Sequence, residues 1–391
     1  MGVGPVRYPS MAIGLWLTAA VATSAGGAPM RVTASDVERH VVYHSPQTPG
    51  YTCWVSAWLT SDGGLRLAFH QATGPLTGRP LARKDVREAL GWPPAGLSVG
   101  YDMTGTIQQI ITLDSRDGGK TWAQVAAEPF HTPMNGVVSG YCALRETESV
   151  MRCVWGMYLP YYDVPQTGYL QRSTDGGLTW GPPILLGDPA KGIPIPKRIR
   201  QLRDGRVVGI GGYIPLSEEV TTFRQGLAHI EAALWWSRDG GATWSEPQVV
   251  LAKADGVSPT EESDLAELPD ERLLLINRTN VPDRWQVAMA PRGDGYEVVS
   301  RTQAPFPHSG MPDVLCTREG VALHIATSNV SATTDGGETW QDLGFGTPYY
   351  PVSLQLPDGR IFTAGHRGSD DPYDGSVDQQ IEALTFRVKA E

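Results

Sequence analysis

Ser115-Arg-Asp-Gly-Gly-Lys-Thr-Trp122 is followed by three near copies: Ser173-Thr-Asp-Gly-Gly-Leu-Thr-Trp180, Ser237-Arg-Asp-Gly-Gly-Ala-Thr-Trp244 and Thr333-Thr-Asp-Gly-Gly-Glu-Thr-Trp340. A phrase that returns marks a repeated supersecondary unit, and repetition decides the architecture before single elements are read. The phrase reads as a hairpin turn. Asp-Gly-Gly supplies the positive φ angles that a tight turn needs. The Ser or Thr hydroxyl and the Asp carboxylate can bond nearby backbone N–H groups, and the Trp packs the turn down. These residues are expected to hold the fold rather than do chemistry.

A second repeat lies beside the first: an apolar strand, a short turn and another apolar strand. Its turns fall near Asp62-Gly63, Thr147-Glu148, Asp204-Gly205, Asp270-Glu271, Glu319-Gly320 and Asp358-Gly359. Four of these six units run on into a clear copy of the phrase. The fourth runs into a degenerate one, Arg292-Gly-Asp-Gly-Tyr296. The sixth ends in a strand, Ile381 to Val388, and is one strand short. The stretch His40 to His44 is a strand with no unit of its own. The economical solution is an all-β, six-bladed β-propeller whose N-terminal strand closes the last blade, which removes exposed sheet edges. The segment 71–105 is a long insertion with a short helix predicted over Ala82 to Leu90, ended by Trp92-Pro93-Pro94. It leaves seven blades as the alternative.

Composition agrees with a turn-rich β domain. The 391 residues include 45 Gly and 31 Pro, and charged residues make up 19%. A net charge of −10 argues against nucleic acid as a partner. At the N-terminus, Arg7, the apolar run Met11 to Val21 and the small residues Thr23-Ser24-Ala25 read as a signal peptide. The run is short for a membrane span. The expected division is therefore a leader over 1–29 and a single domain over 30–391, secreted or periplasmic, and monomeric. Cys142 and Cys153 flank Thr147-Glu148 symmetrically; a disulfide and two buried thiols are both open. The four cysteines show no metal-ligand spacing, and neither metal nor cofactor is expected.

In each unit the first strand runs down the central tunnel and the second runs back. Residues eight before and eight after the turn Asp then share one end of the hairpin. The positions before include Trp54, Pro196, Glu262 and Tyr350; those after include His70, Arg278 and His366. All are expected to ring one tunnel mouth, because an even offset keeps the same face.

The repeated phrase resembles the Asp box of the sialidase superfamily, and the resemblance extends over roughly residues 38 to 388. The run from Glu262 to Arg278 is similar to the segment that carries that family's catalytic Glu and one arginine of its carboxylate-binding triad. Tyr350 to Arg360 is similar to the segment bearing the nucleophilic Tyr. Asp102, 13 residues before Ser115, stands about where the family places its acid/base Asp. The resemblance implies a glycan substrate and an exo-glycoside hydrolase acting on terminal acidic sugars. In that reading Tyr350 attacks, Glu262 takes its proton, and Asp102 serves as acid and then base. Arg278 binds the sugar carboxylate.

This chain also departs from the pattern. Tyr51-Thr-Cys-Trp54 and Ala326-Thr-Ser-Asn-Val330 stand where the family carries its other two arginines. Arg198, Arg200 and Arg284 are candidate substitutes. His70 and His366 replace residues that are often carboxylates. They open a second reading, a polysaccharide lyase or a non-sialic-acid glycosidase with a histidine acid/base. A third is a sugar-binding propeller without catalysis.

Overall fold

The computed structural model describes residues 30–48, 50–76, 105–129, 137–155, 167–220, 226–279, 283–307, 310–367 and 379–391. The expected leader, the helix over Ala82 to Leu90 and Asp102 lie outside them. The described strands form six antiparallel four-stranded sheets. The first blade is β2 (Tyr51–Leu59), β3 (Leu65–Thr73), β4 (Ile107–Ser115) and β5 (Ala123–Pro129). The second is β6 (Val137–Ala143), β7 (Val150–Trp155), β8 (Tyr169–Ser173) and β9 (Ile184–Leu185). The third is β10 (Gly192–Gln201), β11 (Val207–Pro215), β12 (Glu231–Ser237) and β13 (Gln248–Leu251). The fourth is β14 (Pro259–Glu267), β15 (Leu273–Thr279), β16 (Asp283–Arg292) and β17 (Gly295–Pro307). The fifth is β18 (Asp313–Cys316), β19 (Ala322–Ile325), β20 (Val330–Thr333) and β21 (Gln341–Asp342).

The last blade takes its outer strand from the other end of the chain. It runs β22 (Tyr349–Gln355), β23 (Ile361–Arg367), β24 (Gln380–Ala390) and then β1 (Val32–His44). The expected closing strand is thus present and longer than His40 to His44. It pairs antiparallel from Val32↔Ala390 to His44↔Gln380, with register shifts between Ser35 and Glu38 and between Val41 and Tyr43. The ring has six blades.

Successive innermost strands touch around the tunnel, β2 to β6 to β10 to β14 to β18 to β22 and back to β2. Both faces of a blade are covered by its neighbours, so inner strands such as Tyr51–Leu59 read as nearly continuous apolar runs. The core is correspondingly divided. Leu67, Phe69, Val352 and Phe362 pack between blades one and six. Leu202, Leu234, Leu265 and Leu275 pack between blades three and four.

The four repeated turns sit at the hairpin-turn end of the blades, where Leu65 pairs with Ser115 and Val207 with Ser237. In the first, Ser115 Oγ accepts from Gly119 N at 2.9 Å and donates to Asp117 at 2.8 Å. Asp117 Oδ1 accepts the N–H groups of Lys120 and Thr121, each at 2.9 Å. The Thr121 hydroxyl and amide above all hold its carboxyl well below the ordinary range. The second glycine of each phrase presses on the preceding blade: Gly119 on Phe362, Gly177 on Trp58, Gly241 on Met151 and Gly337 on Leu274. The turns therefore fasten blade to blade.

Arginines do the same beneath the tunnel. Arg145 donates to the Leu202 carbonyl, Arg203 to that of Leu268, and Arg318 to that of Leu356 at 2.8 Å. Each ties one inner turn to the next. They line a cavity of about 490 Å³ at this lower end.

Cys142 and Cys153 are thiols and not cross-strand partners. A bulge between Ser139 and Cys142 sets Cys142 opposite Met151 and Cys153 opposite Ser139.

Candidate functional site

The upper mouth is shaped by β-bulges in the innermost strands. Trp54 and Val55 stand opposite Phe69, Gly140 and Tyr141 opposite Arg152, and Tyr350 and Pro351 opposite Gly365. Blade three inserts only Lys197, and blade four inserts Thr260, Glu261 and Glu262 opposite Arg278. A bulge bends its strand and re-aims a side chain. Here it brings Trp54, Lys197, Glu262 and Tyr350 to the mouth, from blades one, three, four and six. Trp54 and Tyr350 pass through the left-handed region, at φ 53° and 52°. This is a costly conformation for a bulky side chain, of order 1–3 kcal/mol, kept only when surroundings enforce it. Inner strands face the tunnel with an unpaired edge, so they tolerate Pro194, Pro196 and Pro351.

A pocket of about 230 Å³ opens at this mouth. Every blade contributes to its lining, through Trp54, Ser139, Lys197, Glu262, Met311 and Tyr350 among others. Tyr350 Oη donates to Glu262 Oε1 at 2.7 Å. Arg278 Nη1 donates to Glu262 Oε2 at 2.6 Å and to Tyr350 Oη at 3.1 Å. The bulge beneath Glu262 is pinned: Thr260 Oγ1 donates to the Arg278 carbonyl at 2.7 Å, and Asn277 Nδ2 to the Thr260 carbonyl at 2.8 Å.

Electrostatics follow from burial. Desolvation first, and then the Glu262 charge, push the Tyr350 phenol far above its usual range, with Arg278 opposing. Arg278 is raised further by the Glu262 charge against the cost of burial. Lys197 Nζ lies 3.0 Å from the Trp155 ring centre and 3.5 Å from Glu261 Oε1, and burial lowers its pKa.

The expected residues are brought to one height but not to one surface. Tyr350, Glu262 and Arg278 meet. The histidines lie beneath their blade's rim residue, His70 edge-on to Trp54 at 5.3 Å and His366 stacked on Tyr350 at 5.8 Å. His366 is fully buried. The expectation that both face the mouth is corrected, because each sits on the second strand under an aromatic ring. His70 Nε2 is 3.1 Å from Val138 N and 3.0 Å from its carbonyl, and desolvation lowers it to about 4. Such a group packs β3 against β6 and suits an acid/base role poorly.

The substitute arginines separate. Arg200 binds the buried Asp264 and lines the lower cavity, so it does not reach the candidate site. Arg284 is fully buried, donates to the Gly310 carbonyl at 2.7 Å, and is lowered to about 10 by desolvation. Arg198 lines the pocket but donates to the Pro351 carbonyl at 3.0 Å.

Sequence reasoning missed Lys197, Glu261, Trp155 and Met311. Counting eight back from Glu319 reaches Met311. The same count from Asp204 reaches Pro196, which still pairs with Gly211, whereas the bulged residue is Lys197. Among the described residues, no group of three or more His, Cys, Asp or Glu residues could hold a metal, and no helix is long and apolar enough to cross a membrane.

Comparison with known proteins agrees with the six-bladed propeller fold. A curated sialidase from Micromonospora viridifaciens is 23% identical over 301 residues, 68% of this chain and 45% of that protein. The chain thus spans less than half the length of that relative. Among solved structures, a protein of unknown function from Dyadobacter fermentans superposes with a TM-score of 0.60 at 16% identity, covering 92% of this chain and 99% of that one. A Hadza microbial sialidase superposes with a TM-score of 0.53 at 17% identity, covering 89% and 66%. No protein-family model matches the chain. The curated and structural neighbours include sialidases, and the chain is consistent with their superfamily.

Proposed function

We propose that this chain is an exported, sialidase-like exo-glycoside hydrolase acting on a terminal acidic sugar. The observation that carries the reading is the 2.7 Å hydrogen bond from Tyr350 to Glu262, with Tyr350 held at a φ of 52°. Strain of this kind is kept where function needs it. Tyr350 Oη attacks the anomeric carbon while its proton passes to Glu262. The bond to the glycosidic oxygen breaks, and Asp102 supplies the proton that oxygen takes. Water, deprotonated by Asp102, then releases the sugar from the tyrosine, and the phenol recovers its proton from Glu262. A neutral nucleophile suits an anionic sugar. Arg278 beside the Tyr350–Glu262 pair and Lys197 in the pocket lining offer positive charge to the same substrate class.

A panel of fluorogenic glycosides including an α-sialoside tests the reading. Release by the wild-type protein and loss of at least about 100-fold in Tyr350→Phe are expected. Absence of turnover across the panel, or an unchanged rate in the variant, overturns it. Glycan binding without turnover would favour a sugar-binding propeller.

A further inference from the structure

We infer that Arg198 is the positioning residue that holds Tyr350 in its strained, outward conformation, by gripping the bulged backbone from the opposite wall of the tunnel. The inference rests on the reading of Tyr350 as nucleophile, but its structural content stands apart from it. Arg198 lies on β10 of blade three and Pro351 on β22 of blade six, on opposite sides of the ring. The guanidinium crosses between them, with Nη2 3.0 Å from the Pro351 carbonyl oxygen.

The bulge explains why that carbonyl needs a donor. Tyr349 pairs with His366 and Val352 with Ala364, so Tyr350 and Pro351 share Gly365 as their opposite. The close approach there admits no side chain: a Cβ on Gly365 would stand 2.6 Å from the Tyr349 carbonyl oxygen. The Pro351 carbonyl is turned into the tunnel, away from the ladder. A buried carbonyl left without a donor is costly, which favours a register without the bulge. Such a register would return Tyr350 to ordinary strand geometry and, by alternation, to another face.

Arg198 is itself fixed. Its side chain is 4% exposed, with Nε 4.0 Å from Asp264 Oδ2 and Nη2 4.0 Å from Asp313 Oδ1. Those carboxylates come from blades four and five. Asp264 is anchored in turn by the Val314 amide at 2.9 Å and by Arg200. A lysine, with one point of charge and no planar fork, cannot reach the carbonyl and both carboxylates together.

Crystal structures of Arg198→Met and Arg198→Lys test the inference, with kinetics on whichever glycoside the wild type cleaves. In both variants Tyr350 is expected to leave the left-handed region and its hydroxyl to lose Glu262, with the other five blades unchanged. Arg198→Lys keeps the charge opposite Asp264 and Asp313, so it reports even if Arg198→Met does not fold. On a cleaved glycoside, kcat is expected to fall roughly 10- to 100-fold, the scale of a misplaced catalytic group, while KM stays within about twofold. Guanidinium ion added to Arg198→Ala is expected to restore part of kcat. A folded Arg198→Lys that keeps Tyr350 on Glu262 at the wild-type distance overturns the inference. That outcome leaves the reading of Tyr350 as nucleophile untouched, whereas a wild type inactive on every glycoside overturns that reading and leaves the crystallographic test in force.

Discussion

At Tyr350 backbone strain, burial and a hydrogen bond to a carboxylate act on one phenol. Burial alone would make it a poor nucleophile, so in the proposed mechanism the weight falls on Glu262 as proton acceptor. Replacing Glu262 with Gln keeps the shape and removes the acceptor. A fall in kcat of roughly 100- to 10,000-fold with a nearly unchanged KM is expected, measured on the glycoside the wild type cleaves. A second prediction concerns Asp313. Burial first, and the Asp264 carboxylate second, raise its carboxyl to about 7. A group raised on folding contributes stability that is complete below its unfolded pKa of about 4 and is lost as pH rises through 7. Melting temperature followed from pH 5 to 9 is expected to drift down by a few degrees in the wild type and to stay flatter in Asp313→Asn. An equal drift in both would remove Asp313 as the cause. Tyr350, Glu262 and Arg278 were legible because a fixed count from a visible turn locates them. Lys197 was not, since the number of residues in a bulge leaves no mark in composition; Arg198 was named as a substitute arginine, but its hold on the Pro351 carbonyl was not foreseen. The burial of His70 and His366 depends on which aromatic ring covers them, and no spacing shows that.

The repeated turns are elements whose role was legible from their residues alone. What the sequence hid is the direction in which they fasten. Gly177 has a φ of 95°, and a Cβ there would stand 2.9 Å from Trp58 of the preceding blade. Gly177→Ala is expected to cost about 1–2 kcal/mol from the backbone conformation alone, with the contact adding to it. A lower melting temperature with unchanged kcat is the expected pattern, because the turn lies at the end away from the pocket. A loss of activity at full stability would mean that the turn communicates with the site. The bulges show the opposite balance: turn spacing made their blades visible, but the bulges emerge only once the strands are paired.

Closure of the ring is a property of the whole molecule. Six turns and a last unit one strand short were enough to place β1 beside β24, because an unpaired edge is costly wherever it is left. Removing residues 30–44 is expected to lower the melting temperature and broaden unfolding, as read by calorimetry; an unchanged transition would show that β1 adds nothing to the closed ring. Closure also sets the site, since Tyr350, Glu262 and Arg198 come from three blades and meet only in the complete ring. The assignment of Tyr350 as nucleophile is tested most directly by trapping. A fluorinated glycosyl fluoride of the sugar the protein cleaves transfers its sugar to the nucleophile, with fluoride leaving and the phenol proton passing to Glu262. Intact and peptide mass spectrometry are expected to find one sugar per chain, on the peptide that contains Tyr350, and none in Tyr350→Phe. A sugar on any other residue, or rapid turnover of the reagent by Tyr350→Phe, would contradict the assignment.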